Sequence, residues 1–233
     1  MVQSLSETGD HGCHTRRLAL IPFGATLRFI CTAITLLSLA IALPVYAEEH
    51  HKFTELPGTH ALISQLRAGG FVLFMRHGAT DSSKPDQFPL TDPNDCSKQR
   101  PLIEDGRQVA RFLGETLRRG RIPVDEVYAG PLCRTRETAL AAFGNFKVNQ
   151  KLMTTTNLTT EEKGPYLDEL RRLLSSPVAK GNRVLVTHAP NLADLIGYFP
   201  GPEGVIVVFQ PMDNGRFNYL ATIPPAAWAK LIK

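Results

Sequence analysis

The chain has 233 residues, a formal net charge of +4 and 43% hydrophobic residues. This length permits one or two domains, and no internal repeat is visible, which argues against a repeat architecture. The small positive charge comes without a basic run, an aromatic platform or a finger motif, so the composition gives nucleic-acid binding little support.

The first 47 residues differ in composition from the rest. Residues 29–43 form an almost uncharged apolar run that follows several arginines, and Val45 and Ala47 occupy the small-x-small positions of a cleavage site. This pattern predicts a secretory signal peptide over residues 1–47 and export to the periplasm. An uncleaved membrane anchor is the alternative, although the run is shorter than the roughly 20 residues that span a bilayer. An upstream error in the start codon would also explain the long leader.

Removal of residues 1–47 would take away three basic and two acidic residues and leave a formal charge of +3. That charge suits an anionic small substrate, but it is equally ordinary for a soluble protein. Cys13 and Cys31 would leave with the leader. Cys96 and Cys133 would remain in an oxidising compartment, where they either form a disulfide beside the predicted site or stay free. Neither has a histidine nearby in sequence, so catalytic cysteine chemistry is not expected.

The rest of the chain alternates predicted helices and strands. Residues 48–59 predict a solvated linker, and the polar stretch 81–100 predicts a long loop that covers a site. Helices are predicted at residues 60–68, 102–119, 131–144, 166–175, 192–198 and 226–232. Strands are predicted at residues 71–75, 124–129, 183–187, 205–209 and 217–222, the last two joined by a turn at 213–215. This alternation predicts an α/β fold with three layers, α/β/α, around a mainly parallel sheet.

Three of the predicted strands lead into residues that carry chemistry. The first ends in Arg76 and His77, the second leads into a helix with Arg134, and the third ends in His188. Ligands bind at the carboxyl ends of strands in open α/β sheets. Guanidinium groups bind phosphate oxygens bidentately, and an imidazole near its reference pKa of about 6.5 can act as a nucleophile. Together these groups could transfer a phosphoryl group without a metal.

With these residues in place, the chain resembles the histidine phosphatase superfamily, also called phosphoglycerate mutase-like. The matching motifs are Phe74-Met75-Arg76-His77-Gly78-Ala79-Thr80, Arg100-Pro101-Leu102 with Asp105-Gly106-Arg107, Gly130-Pro131-Leu132-Cys133-Arg134 with Glu137-Thr138-Ala139, and Val186-Thr187-His188. The resemblance implies one histidine phosphatase domain over residues 60–233, with the phosphoglycerate mutase-like fold of branch 1. The chain also resembles small exported members of the phosphohistidine phosphatase and lipopolysaccharide core heptose phosphatase type.

The resemblance also implies a role for each core residue. His77 would be the nucleophile that becomes phosphohistidine, Arg76 and Arg134 would hold the phosphate, and His188 would donate to a phosphate oxygen. Taken alone, Arg134 would more simply be a surface cation of a helix and His188 a core histidine. Arg100, in the covering loop, would either contact the substrate beyond its phosphate or only brace the loop. No metal and no cofactor is implied.

The general acid is the element that the pattern leaves open. In many members an acidic residue between the second arginine and the second histidine protonates the leaving oxygen. Glu161 and Glu162, in the loop before a predicted helix, are the best candidates, although adjacent loop carboxylates are more often only exposed to solvent. Asp168 and Glu169 lie in the same interval. An imidazole leaving group could be protonated on its own distal nitrogen, which would reduce the need for a protein acid.

Asn191 follows His188 at the start of a predicted helix. We expect its side chain to cap that helix, with contact to the substrate as the alternative.

These features predict an exported phosphoric monoester hydrolase that works without a metal through a phosphohistidine on His77. Envelope sugar phosphates, such as phosphorylated heptose of the lipopolysaccharide core, are the substrates expected by analogy. The alternatives are a phosphohistidine-protein phosphatase and a non-catalytic phosphate-binding protein of the envelope. The expected partner is a phosphorylated small molecule or glycan, with no nucleic acid, and with the membrane only if the N-terminal segment stays uncleaved.

Overall fold

The computed structural model describes residues 53–212 and 214–232. The predicted signal segment and the first residues of the predicted linker, 48–52, lie outside these described residues. Among the helices of the described part of the chain, none combines the length and apolar character that crossing a membrane requires.

Helices and strands alternate through most of the described chain. The α-helices are α1 (His60–Ala68), α2 (Glu104–Arg119), α3 (Cys133–Phe143), α4 (Thr160–Ser175), α5 (Ala189–Ile196) and α6 (Pro225–Leu231). The strands are β1 (Val72–Arg76), β2 (Val124–Ala129), β3 (Lys147–Val148), β4 (Asn182–Thr187), β5 (Ile206–Met212) and β6 (Arg216–Ile223).

The strands form one mixed sheet in the order β3-β2-β4-β1-β5-β6. The strands β3, β2, β4 and β1 run parallel, whereas β5 pairs antiparallel with both β1 and β6. The described chain therefore has the α/β fold that the sequence predicted, with the parallel strands on one side of β1 and the antiparallel pair on the other.

Helices cover both faces of the sheet, which gives the three predicted layers. Leu73 and Met75 of β1 belong to a buried apolar cluster that also contains residues of α1, α2, α3 and α6. Val72 and Phe74, which point to the opposite face because strand side chains alternate, belong to a second cluster with residues of α4 and α5. Strand β1 is thus buried on both faces, and its carboxyl end is held firmly in the middle of the molecule.

Some boundaries differ from the predicted ones. Helix α3 begins at Cys133, so Pro131 precedes the helix and does not lie in its first turn. Helix α4 begins at Thr160, well before the predicted start at residue 166, because Thr159 and Glu162 form a capping box and Pro165 is accommodated inside the helix. Strand β3 was not predicted, since two residues give no periodic signal.

The described part of the predicted linker packs against the domain. Phe53 stacks on Tyr198 with ring centroids 4.1 Å apart, and the amide of Thr222 donates to the carbonyl of Leu56 at 2.8 Å. Thr59 caps α1 through its side chain. Residues 53–59 are therefore an integral edge of the fold.

The covering loop, residues 81–100, is fastened to the start of α3. A disulfide joins Cys96 to Cys133, which confirms one of the two states considered for these cysteines. The backbone amide of Cys133 donates to Gln99 Oε1 at 2.8 Å. Arg134 follows Cys133 directly, so the loop is anchored one residue away from a predicted phosphate ligand.

Two glycines allow the segment after β1 to rest on α2. A Cβ on Gly78 would lie 2.6 Å from the carbonyl oxygen of Gly106, and a Cβ on Gly106 would collide with the carbonyl oxygen of Ala79. This close backbone contact explains a glycine in each of the first two motifs, and it fixes the backbone that carries His77.

Candidate active site

His77 lies at the carboxyl end of β1, and its backbone is held on both sides. Its amide donates to the carbonyl of Thr187 at 3.0 Å, and its carbonyl accepts from the amide of Gly204 at 2.9 Å. The side chain is 3% exposed. The imidazole therefore has a fixed position at the carboxyl end of a central strand.

The His77 ring is oriented by its own loop. Nδ1 lies 2.8 Å from the carbonyl oxygen of Gly78, and because a carbonyl can only accept, Nδ1 carries the proton and Nε2 keeps its lone pair. Burial, followed by the positive charge of Arg134, lowers the pKa of His77 to about 3. The ring is therefore neutral at neutral pH, which is the form that can attack an electrophile.

His188 is the N-cap residue of α5 and directly follows β4. Its ring centroid lies 5.2 Å from that of His77, with the two planes at 63°. Burial and the charge of Arg134 lower the pKa of His188 well below its ordinary value. A bound dianion would oppose these effects, because a negative charge favours the protonated imidazole.

Arg134 is the second residue of α3, which leaves the carboxyl end of β2. Its side chain is 3% exposed, and Nη1 donates to Asp86 Oδ1 at 2.8 Å. Burial lowers the pKa of Arg134, and the negative charge of Asp86 opposes that effect. The N-terminal end of α3 adds backbone polarity that favours an anion.

Arg76 is the last residue of β1, and the segment before β5 surrounds it. Nη1 donates to the carbonyl of Pro200 at 3.0 Å, and Nη2 lies 3.5 Å from Glu203 Oε1. The Phe199 ring centroid lies 5.4 Å from Arg76 Cζ. Burial lowers the pKa of Arg76, and Glu203 opposes that effect.

Arg100 ends the covering loop, and its charge reaches the same site. Its backbone amide donates to Asp86 Oδ1 at 2.7 Å, so one carboxylate links Arg100 and Arg134. The charge of Arg100 contributes to the lowered pKa of both His77 and His188. The structure therefore brings together the four residues that the sequence placed in the core of the site, with Arg100 beside them.

These side chains leave buried polar atoms without a partner among the described residues. They are Arg76 Nε, Arg100 Nε, Arg134 Nε and His188 Nε2. A buried polar atom without a partner costs about 1–3 kcal/mol. Within the described residues, Arg76 and Arg134 each face one carboxylate, and no ion pair joins the guanidinium of Arg100 to an acid, so one positive charge remains uncompensated. An oxyanion would supply both the acceptors and the negative charge that the site lacks.

The two candidate acids lie elsewhere. Glu161 and Glu162 are exposed in the first turn of α4, and a carboxylate oxygen of Glu162 accepts from the amide of Thr159 at 2.8 Å. Within the described residues, no hydrogen bond or ion pair joins either of them to the core of the site. Glu162 therefore caps α4, a helix whose start was predicted six residues too late.

Asn191 does not cap α5, so that prediction was wrong. His188 is the N-cap, and Asn191 Nδ2 instead donates to the carbonyl of Met153 at 2.7 Å. Its amide tethers the segment before α4 to α5.

Sequence reasoning missed Asp86 and Glu203, the carboxylates that contact the site arginines. Glu203 accepts from Thr80 Oγ1 at 3.0 Å, and its Oε1 lies 3.9 Å from His77 Nδ1. The antiparallel pairing of β5 with β1 brings the residues that precede β5 to the carboxyl end of β1. That pairing was the missing signal, because the predicted mainly parallel sheet does not place this segment at the site. Asp86 lies in a long loop that gives no periodic pattern.

Comparison with known proteins gives a family match over the first part of the domain. Residues 72–159 match the family model described as the histidine phosphatase superfamily (branch 1). The match contains Arg76, His77, Arg100 and Arg134, and it ends before His188. A search of the curated proteins gave no match.

Solved structures of phosphatases resemble the chain at low identity. The protein histidine phosphatase SixA complexed with tungstate is 17% identical, covers 67% of this chain and 97% of its own, and has a TM-score of 0.49. A phosphoserine phosphatase mutant from Entamoeba histolytica in complex with phosphoserine is 13% identical, covers 65% of this chain and 95% of its own, and has a TM-score of 0.43. The assignment of the site depends on the chain's own residues and on the family match.

The neutral buried histidines predict a loss of stability in acid. In the unfolded chain both have an ordinary pKa of about 6.5, so below that pH the unfolded state binds more protons than the folded state. The stability is fully present above pH 6.5 and falls as the pH drops towards the folded pKa of His77, about 3. Each histidine contributes a slope of at most about 1.4 kcal/mol per pH unit.

Urea unfolding between pH 7 and pH 5 checks this prediction. We expect His188→Asn to flatten the dependence of unfolding free energy on pH, whereas Leu140→Ala, which removes no titratable group from an exposed position on α3, leaves it unchanged. Identical slopes in the parent and in His188→Asn would contradict a neutral buried His188.

The contacts of Glu203 predict that it positions Arg76 and the loop after His77. Glu203→Ala removes the carboxylate that faces Arg76 and accepts from Thr80, and we expect kcat/KM on a phosphate monoester to fall about tenfold to a hundredfold. Glu203→Gln should lose less, since an amide oxygen still accepts from Thr80. Asp168→Ala is the matched control, because Asp168 pairs with Arg171 on the exposed face of α4. Equal activity of Glu203→Ala and the control would contradict a positioning role for Glu203.

Proposed function

Because residues 72–159 match the family model of the histidine phosphatase superfamily (branch 1), we propose that the protein hydrolyses phosphate monoesters through a phosphohistidine on His77. The observation that carries the proposal is the neutral His77 imidazole with an unprotonated Nε2 beside three guanidinium groups. Each of these guanidinium groups keeps a buried Nε without a partner among the described residues. A nucleophile and a group of cationic donors that suits an oxyanion thus occur together.

In the first half-reaction, Nε2 of His77 attacks phosphorus and the bond to the ester oxygen breaks. Arg76 and Arg134 hold the non-bridging oxygens as negative charge shifts towards the leaving group. The attacking imidazole gains positive charge, and the carbonyl oxygen of Gly78, which accepts from Nδ1, stabilises it. The products are phosphohistidine and an alcohol that needs one proton.

The departing oxygen takes that proton from water, because Asp86 and Glu203 are both carboxylates that face arginines. In-line displacement puts the leaving oxygen on the side of phosphorus opposite Nε2. Glu203 lies near Nδ1 of His77, at 3.9 Å, whereas Asp86 belongs to the covering loop and contacts Arg134. Water on that side protonates the departing alkoxide and becomes hydroxide, which the phosphate formed in the second half-reaction neutralises.

In the second half-reaction, water attacks phosphorus and the bond to Nε2 breaks. His77 returns to its neutral form with the proton still on Nδ1, and inorganic phosphate remains in the pocket. The negative charge of the bound phosphate favours protonation of His188, which then donates to a phosphate oxygen. Release of phosphate restores the neutral pair of imidazoles.

We propose export as well, with envelope sugar phosphates as substrates. The charged leader, the apolar run of residues 29–43 and the small residues before Glu48 support export. The disulfide between Cys96 and Cys133 suits an oxidising compartment. N-terminal sequencing of protein from the periplasmic fraction should begin at Glu48, and a product that retains residue 1 would contradict cleavage.

Trapping of the intermediate tests the proposed mechanism. The full-chain protein is mixed with a radiolabelled aryl phosphate and quenched in alkali within the first turnovers. We expect protein-bound label that is stable in alkali and lost in acid, as a phosphorus–nitrogen bond requires. His77→Ala should carry no label and lose at least about 1000-fold in turnover.

His60→Ala serves as the matched control, because His60 is an exposed histidine on α1 and should be labelled like the parent. Label that survives acid but not alkali would point to a phosphorylated carboxylate and overturn the role of His77. Tight phosphate binding by the parent without any turnover would favour the non-catalytic binding protein.

A further inference from the structure

Phe199 is an exposed aromatic residue beside a predicted phosphate ligand. It lies between Tyr198 and Pro200, which are buried, yet 58% of its surface is exposed. Its ring centroid lies 5.4 Å from Cζ of Arg76. The ring therefore touches the guanidinium and keeps most of its surface open to solvent.

Arg76 is already held by other groups of the same segment. Nη1 donates to the carbonyl of Pro200, and Nη2 faces the carboxylate of Glu203. Its Nε, buried and without a partner among the described residues, is the atom that remains for a phosphate oxygen. Phe199 thus stands beside the position where the phosphate and its ester substituent would lie.

A second exposed phenylalanine, Phe88, lies on the covering loop. Phe88 is 68% exposed and lies on the covering loop, two residues after Asp86, which accepts from Arg134. A single exposed apolar residue is normal on a protein surface. Here one exposed ring contacts Arg76, and the other belongs to the loop whose Asp86 contacts Arg134.

We infer that Phe199 is a specificity-determining residue that stacks against a ring in the leaving group. The preferred substrates are then phosphate esters of a six-membered ring alcohol, either a sugar or a phenol. Such a ring can lay an apolar face on the phenyl ring, whereas its polar edge stays solvated. An acyclic phosphate ester gains no comparable contact. This inference rests on the proposed phosphatase function and adds a substrate class to it.

The test compares three substrates on the full-chain parent and on Phe199→Ala: a hexose 1-phosphate, phenyl phosphate and glycerol 1-phosphate. We expect Phe199→Ala to lower kcat/KM about tenfold for the two ring substrates, the loss that one ring contact carries, and less than about twofold for glycerol 1-phosphate. Phe199→Tyr should keep the preference for rings. A loss on phenyl phosphate alone would narrow the class to phenols, and a loss on the hexose 1-phosphate alone would narrow it to sugars.

Leu140→Ala is the matched control, because Leu140 is 57% exposed on α3 and should leave all three values unchanged. An equal loss on all three substrates would overturn the inference, since Phe199 would then act only through Arg76. Unchanged values on all three would overturn it too. If the parent turns over none of the three, the proposed phosphatase function fails and this inference falls with it.

Discussion

The concentration of positive charge at one edge of the sheet is the constraint on which the rest of the site depends. Among Arg76, Arg100 and Arg134, only two guanidinium groups face a carboxylate within the described chain, so their charge is not fully balanced there. Burial and the positive charges of the arginines both disfavour protonation of the two imidazoles, so His77 and His188 stay neutral. The same positive charges keep His77 in its nucleophilic form and favour the binding of an anion. A bound phosphate would supply acceptors and negative charge to these groups.

The fold supports this arrangement by holding each charge on a different rigid element. Arg76 and His77 end the central strand, Arg134 begins a helix, and a disulfide one residue away fastens the covering loop. Because β5 pairs antiparallel with β1, the segment before β5 contacts Arg76 through Pro200 and Glu203. Because several elements meet at the site, a shift in any one of them would disturb the geometry of the predicted phosphate contacts.

The sequence was sufficient for the residues that directly follow parallel strands. Arg76, His77 and His188 end buried apolar runs, and that pattern predicts both their elements and their shared edge. Asp86 and Glu203 could not be found in this way, because one lies in a long aperiodic loop and the other is brought in by a long-range antiparallel pairing. Glu161 and Glu162 were predicted in a loop, since Pro165 directly precedes the predicted helix start at residue 166. In the structure a capping box begins α4 six residues before that, at Thr160.

A crystal structure of the protein with vanadate tests the central claim most directly, since vanadate adopts the five-coordinate geometry of a phosphoryl group in transfer. We expect vanadium to be bonded to Nε2 of His77, with its equatorial oxygens on Arg76, Arg134 and His188. Vanadate bonded through Nδ1, or bound away from these residues, would contradict the account, as would a pocket that stays empty at saturating vanadate.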